Sequence, residues 1–169
     1  MFDLEENNVN GGSYRLFIRH QRSKVGGLST ARLGGSFFME DKLADLQTYN
    51  DLIRRMRANR DCCMNFIRKE FDSGKRFWVY GASTKGNVIL QWYGLGAEPD
   101  GPLIEMAADK SPKKWGKMTV GTGIPIRSED EFRKAKPDYA VLLPSAFRDE
   151  FDEREREWLS GGGKFIVPL

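Results

Sequence analysis

Four consecutive bulky apolar residues, Phe77-Trp78-Val79-Tyr80, run directly into Gly81-Ala82-Ser83-Thr84-Lys85-Gly86-Asn87 and then into an apolar stretch from Val88 to Leu95. No other part of the chain narrows the fold as much. A short apolar run with few polar positions predicts a strand buried on both faces, as in a parallel sheet. A glycine-bearing turn followed by helix-spaced apolar residues predicts strand, tight bend and helix. The rhythm then repeats. Leu103 to Ala108 reads as the next strand, ending in Asp109, and Thr119 to Ile126 as a glycine-containing loop leading into Ile124-Pro125-Ile126. Ser128-Glu129-Asp130-Glu131 has capping-box spacing and opens a short helix to Ala135. Tyr139 to Leu143 is a third strand, Phe147 to Leu159 a charged amphipathic helix closed by Gly161-Gly162-Gly163, and Lys164 to Leu169 a last strand. Strands alternating with helices make βαβ units, so residues 75–169 are expected to form a small Rossmann-like, three-layer α/β domain with a mostly parallel sheet.

The first 74 residues do not follow that alternation. Asn10-Gly11-Gly12-Ser13 supplies a bend before the partly alternating Tyr14-Arg15-Leu16-Phe17-Ile18-Arg19, so residues 1–20 read as a β segment. Residues 21–40 are basic and rich in Gly and Ser, the composition of a mobile linker. Residues 41–74 read as one long connecting helix, with Leu43, Leu46, Tyr49, Leu52 or Ile53, Met56, Cys63, Phe66 and Ile67 at helical spacing. Asp72-Ser73-Gly74-Lys75 stops it.

Charge and cysteine usage limit the partners. There are 27 basic against 24 acidic residues, a mixed surface that argues against nucleic acid. The adjacent Cys62 and Cys63 diverge by about 100° on a helix, so no disulfide joins them. No Cys/His cluster suggests a metal. The acidic start, MFDLEENN, is not a signal peptide, and no apolar run suits a membrane span. A cytoplasmic setting is the expectation.

The candidate chemistry is at the first glycine turn. A helix N-terminus presents several backbone N–H groups to an anion, and small residues let it approach. Gly81, Ser83, Thr84, Lys85, Gly86 and Asn87 are therefore the expected substrate or phosphate contacts. The turn is neither G-x-G-x-x-G nor G-x-x-x-x-G-K-[ST], which sets it apart from nicotinamide binders and nucleotide-hydrolysing P-loops. The plain alternative is that the glycines only make the bend. Asp109 stands where dinucleotide folds place an acidic residue on a sugar hydroxyl. It opens Asp109-Lys110-Ser111-Pro112-Lys113-Lys114-Trp115-Gly116, with Lys110 or Lys114 available to an anion, or else simply a solvated basic loop. His20, the sole histidine, has no nucleophile arrangement around it. The carboxylates Asp149, Glu150, Asp152, Glu153, Glu155 and Glu157 read as a solvated helix face, and Phe147, Phe151, Trp158 and Leu159 as core contacts.

These stretches, in this order, resemble the C-terminal domain of the sugar C-methyltransferases that act on nucleotide-activated deoxysugars. The resemblance is carried by Asn10-Gly11-Gly12-Ser13 with Arg15, Tyr80 to Asn87, and Asp109 with Pro112, Lys114 and Gly116. It continues through Gly121-Thr122, Ile124-Pro125-Ile126, Pro137-Asp138-Tyr139, Leu142-Leu143-Pro144 and Gly162 to Pro168. It is dense from about residue 75 and thinner over 1–19. It implies a parent with a zinc-binding segment, a methyltransferase domain that binds S-adenosylmethionine, and this Rossmann-like domain helping to hold the nucleotide-sugar. Residues 1–20 then correspond to the closing strands of a truncated methyltransferase domain. Asn10 stands where the family commonly has a histidine suited to general base work, and an amide cannot take a proton from carbon at neutral pH. The intact parent then uses another base or methylates a different kind of atom. Ser145-Ala146 departs from the aromatic and polar pair that often follows Leu-Pro.

The expectation is a substrate-binding domain with no catalytic residue, no metal and no cofactor of its own. It would be inactive alone, its partners being a nucleotide-activated sugar or similar phosphorylated molecule and the missing methyltransferase domain. The alternatives are a stand-alone dinucleotide- or nucleotide-binding module, or a non-catalytic oligomerisation domain that forms a homodimer through the unpaired edge of the N-terminal β segment.

Overall fold

The computed structural model of the chain describes residues 2–9, 12–20, 41–96 and 101–168. The expected linker over 21–40 and Asn10-Gly11 lie outside the described residues. The chain divides into two compact units, residues 1–55 and 56–169.

The first unit holds an antiparallel hairpin, β1 (Asp3–Asn7) against β2 (Ser13–Phe17). Its register runs from Asp3 opposite Phe17 to Asn7 opposite Ser13. Arg15 and Glu5, directly opposite, form an ion pair at 3.2 Å. β1 comes from the acidic start, where sequence alternation is weak. A 3₁₀ turn, Asp41–Ala44, leads to α1 (Leu46–Asp72), whose first turn is capped by Asp45 accepting from the Gln47 amide at 2.9 Å. Cys62 and Cys63 are both free thiols on this helix, and burial pushes the Cys63 thiol up to about 11.

The second unit is a five-stranded, entirely parallel sheet built from β3 (Phe77–Tyr80), β4 (Met106–Ala108), β5 (Ile126–Arg127), β6 (Tyr139–Leu142) and β7 (Lys164–Ile166). Its spatial order is β5-β4-β3-β6-β7. The first strand is thus central, and the chain winds outward from it in both directions. The helices are α2 (Thr84–Tyr93), α3 (Glu129–Ala135), α4 (Arg148–Arg154) and α5 (Arg156–Ser160).

All four β3 residues are buried, as the unbroken apolar run requires. Phe77 and Val79 point to a core shared with Met64 and Ile67 of α1 and Leu90 and Tyr93 of α2. Trp78 and Tyr80 point to the opposite core, with Phe132, Phe151 and Trp158 from α3, α4 and α5. The three layers anticipated from sequence are therefore present. The Pro137-Asp138-Tyr139 stretch fastens the strand beginnings. Asp138 accepts from the Arg76 amide at 3.0 Å and from Lys75 Nζ at 2.9 Å, which lowers its carboxyl below the ordinary range.

Three element assignments change. α2 begins at Thr84, so Thr84 to Asn87 form its first turn rather than a loop before Val88. Ile126–Arg127 is a short edge strand, where only a loop leading into Ile126 was expected. The helix expected over Phe147 to Leu159 is two helices that break at Glu155. Among the described residues no helix is long and apolar enough to cross a membrane.

A Cβ added at Gly86 would stand 2.5 Å from Leu143 Cδ1 and 2.9 Å from Leu143 Cβ. Gly86→Ala is expected to lower stability by about 1–3 kcal/mol through overpacking, read by urea denaturation. A change within ±0.3 kcal/mol would show that α2 does not pack this closely on the exit of β6.

Candidate functional site

β3 and β6 are neighbours whose connections leave on opposite sides, so a crevice opens beyond their C-terminal ends. The groove there measures about 300 Å³ and includes Gly81, Ser83, Asp109, Pro144 and Phe147 in its walls.

Gly81, at the exit of β3, has φ +86° and donates its amide to the carbonyl of Ala108 at 2.8 Å. A Cβ at this position would lie 2.7 Å from Pro144 Cδ. The two glycines of the turn thus make room for protein, Pro144 at Gly81 and Leu143 at Gly86. Ser83 is the N-cap of α2, and its hydroxyl accepts from the Gly86 amide at 3.0 Å. The amides of Thr84 and Lys85 begin the helix and have no intrahelical acceptor, so they are the backbone donors left for an anion. Both side chains are exposed. The side-chain oxygen of Asn87 is buried and meets no donor among the described residues.

Asp109 and Lys114, expected from sequence at the rim, are brought to this turn. Asp109 is buried at the end of β4; it accepts from the Ser111 amide and from Lys114 Nζ, each at 2.8 Å. Lys114 Nζ also donates to the carbonyl of Ala82 at 2.8 Å. Lys114 is therefore a latch between the two strand exits. The cations left open there are Lys85 and Lys110, which form no ion pair among the described residues.

A polar network that sequence reasoning missed reaches the groove through Tyr80, Glu129 and Arg154. Glu155 is only 1% exposed. It accepts from Tyr80 Oη at 2.5 Å and takes a two-point contact from Arg133, at 2.6 and 3.0 Å. Arg133 also pairs with Glu129 and Asp130, and Arg154 with Glu129 and Glu150. Burial and the adjacent Glu155 push the Tyr80 phenol far above its ordinary value. The hydrogen bond to Glu155 raises Arg133 in the same sense. Glu155 is thus not part of a solvated face. Its spacing from Phe151 and Trp158, i, i+4 and i+7, placed it on the buried stripe and was the available signal.

Phe151 and Trp158 are core residues as expected, but Phe147 is 45% exposed. It precedes α4 in a 3₁₀ turn, Ser145–Phe147, and so lies off the helical stripe. A larger cavity, about 490 Å³, lies beside Pro137-Asp138 before β6 and Gly161 to Gly163 before β7, and Arg133, Arg154 and Glu155 of the network line it. Ligands of open α/β sheets bind beyond strand C-termini, which favours the smaller groove. Among the described residues no group of three His, Cys, Asp or Glu could hold a metal ion.

Comparison with known proteins adds two findings. A family model described as a C-methyltransferase C-terminal domain matches residues 8–169. Over 127 residues the chain is 34% identical to a protein of Streptomyces niveus named C-methyltransferase NovU. The aligned part covers 75% of this chain and 29% of that protein, so the chain spans less than a third of the relative's length.

Removing the buried charge tests the network. Glu155→Gln leaves Arg133 without its main counter-ion, and breaking a buried pair costs about 3–5 kcal/mol. Arg133 reaches solvent, so a loss of about 2–3 kcal/mol in denaturant titration is expected. A loss below about 0.5 kcal/mol would mean that the network does not stabilise the fold.

Proposed function

This chain belongs to the C-methyltransferase C-terminal domain family, and from that premise we propose that it is the substrate-holding part of a methyltransferase. Its ligand is a nucleotide-activated sugar or a similarly phosphorylated compound, held at the C-terminal edge of the sheet. The observation that carries this reading is the placement of the α2 N-terminus beside the groove at the β3/β6 switch. Two unbonded first-turn amides, Thr84 and Lys85, and the open charges of Lys85 and Lys110 offer an anion a seat. Asp109 and Lys114 fix the shape of that seat.

The chain's role is to bind and orient. Each carboxylate at the groove is already paired, Asp109 with Lys114, Glu129 with Arg133 and Arg154, and Glu150 with Arg154. S-adenosylmethionine would supply the methyl group in the intact parent. Pro144 and Leu143 fill the space above Gly81 and Gly86, so a ligand at this turn meets the Thr84 and Lys85 amides rather than the glycines. In this reading residues 1–20 close a methyltransferase domain and residues 75–169 form the substrate domain, in a cytoplasmic enzyme.

Calorimetry on the chain is expected to show binding of a nucleoside diphosphate, weakening as salt is raised, and no binding of S-adenosylmethionine. Tight binding of the methyl donor by this chain alone would overturn the division of labour.

A further inference from the structure

The groove is not uniformly suited to an anion. Its charged lining consists of three carboxylates, Asp109, Glu129 and Glu150, and two cations, Lys110 and Arg154. Arg154 is already engaged by Glu129 and Glu150. A phosphate placed among these groups meets like charge unless that pairing is broken. The open cations and free amides lie instead at its edge, on the first turn of α2 and at Lys110. Pro144, Phe147 and Phe151 give the groove an apolar wall, and Tyr80, Gly81 and Ser83 complete its lining. The Phe147 ring belongs to neither core cluster and to no ring pair among the described residues. The residue is 45% exposed and lines the groove, where a ligand could reach it.

A ligand matching this lining is anionic at the α2 end, and flat, neutral and rich in N–H or O–H donors within the groove. A nucleobase with its pentose has that character, with apolar faces for a ring and a polar edge for carboxylates. We propose that Phe147 is the platform on which the base of the ligand stacks, so that the nucleoside half occupies the groove and the phosphates point to Thr84 and Lys85. This rests on the nucleotide-sugar reading above and adds to it the direction in which the ligand lies. It also makes Phe147 a determinant of affinity for the nucleoside rather than for the transferred sugar.

The test compares uridine diphosphate and thymidine diphosphate with inorganic pyrophosphate, on the full chain and on Phe147→Ala and Phe147→Tyr. The ring is exposed, so both variants should melt like the parent chain. The unsubstituted chain should bind the nucleoside diphosphates more tightly than pyrophosphate. Phe147→Ala should weaken the nucleoside diphosphates roughly 5- to 150-fold, the range of a base–aromatic stack, and leave pyrophosphate unchanged, while Phe147→Tyr retains binding. Nucleoside diphosphate binding that Phe147→Ala leaves intact, or that falls together with pyrophosphate, would overturn the stacking role and leave the substrate-holding reading in place. A chain that binds neither diphosphates nor pyrophosphate would overturn both.

Discussion

The α/β unit depends on a single central strand. β3 is hydrogen-bonded to β4 along one edge and to β6 along the other, and both its faces are covered. That position demands four apolar residues in a row, because a polar side chain on either face would be buried without water. It also determines where a ligand can go. The chain crosses from β3 to β4 in one direction and reaches β6 in the other, so the strand exits part beneath a shared opening. Gly81 and Gly86 allow the exit of β3 and the start of α2 to press against Pro144 and Leu143, which keeps that opening narrow.

The second determinant is a polar one inside an aromatic cluster. Tyr80 touches the rings of Phe132, Phe151 and Phe165, and its hydroxyl donates to Glu155. Glu155 in turn holds Arg133 of α3. A strand, a helix on its far side and the break between α4 and α5 are thus tied at one carboxylate. Buried groups of this kind are costly unless every member is bonded, and here both carboxylate oxygens and the phenol are. The network joins two openings: Tyr80, Glu129 and Arg154 line the groove, and Arg133, Arg154 and Glu155 line the larger cavity, so the shape of both depends on it.

The parallel architecture was legible in the sequence, and for a physical reason. Doubly buried strands need unbroken apolar runs, and Phe77 to Tyr80 and Tyr139 to Leu142 have them. The capping box at Ser128 and Glu131 was equally readable, since both halves of its hydrogen bonding are local. β5 was hidden because two residues at a sheet edge carry no periodic signal. The order of strands, with β3 central, comes from long-range pairing that no local pattern records. At the site, the residues around Ser83 and Asp109 were found from turn chemistry, but their uses were not. Ser83 caps the helix, and Lys114 is a latch rather than an open charge. Phe147 was assigned to the core because the helix was expected to include it, whereas that helix starts one residue later, and Glu155 was assigned to the solvated face because its charge outweighed its place on the stripe of Phe151 and Trp158.

Ligand seating at the C-terminal edge of the sheet is the central claim. Backbone hydrogen exchange of the chain with and without saturating uridine diphosphate tests it most directly. New protection is expected at 82–87, 109–114 and 143–151, around the exits of β3, β4 and β6. Protection confined to 133–138 and 157–163, around the larger cavity, would contradict the account.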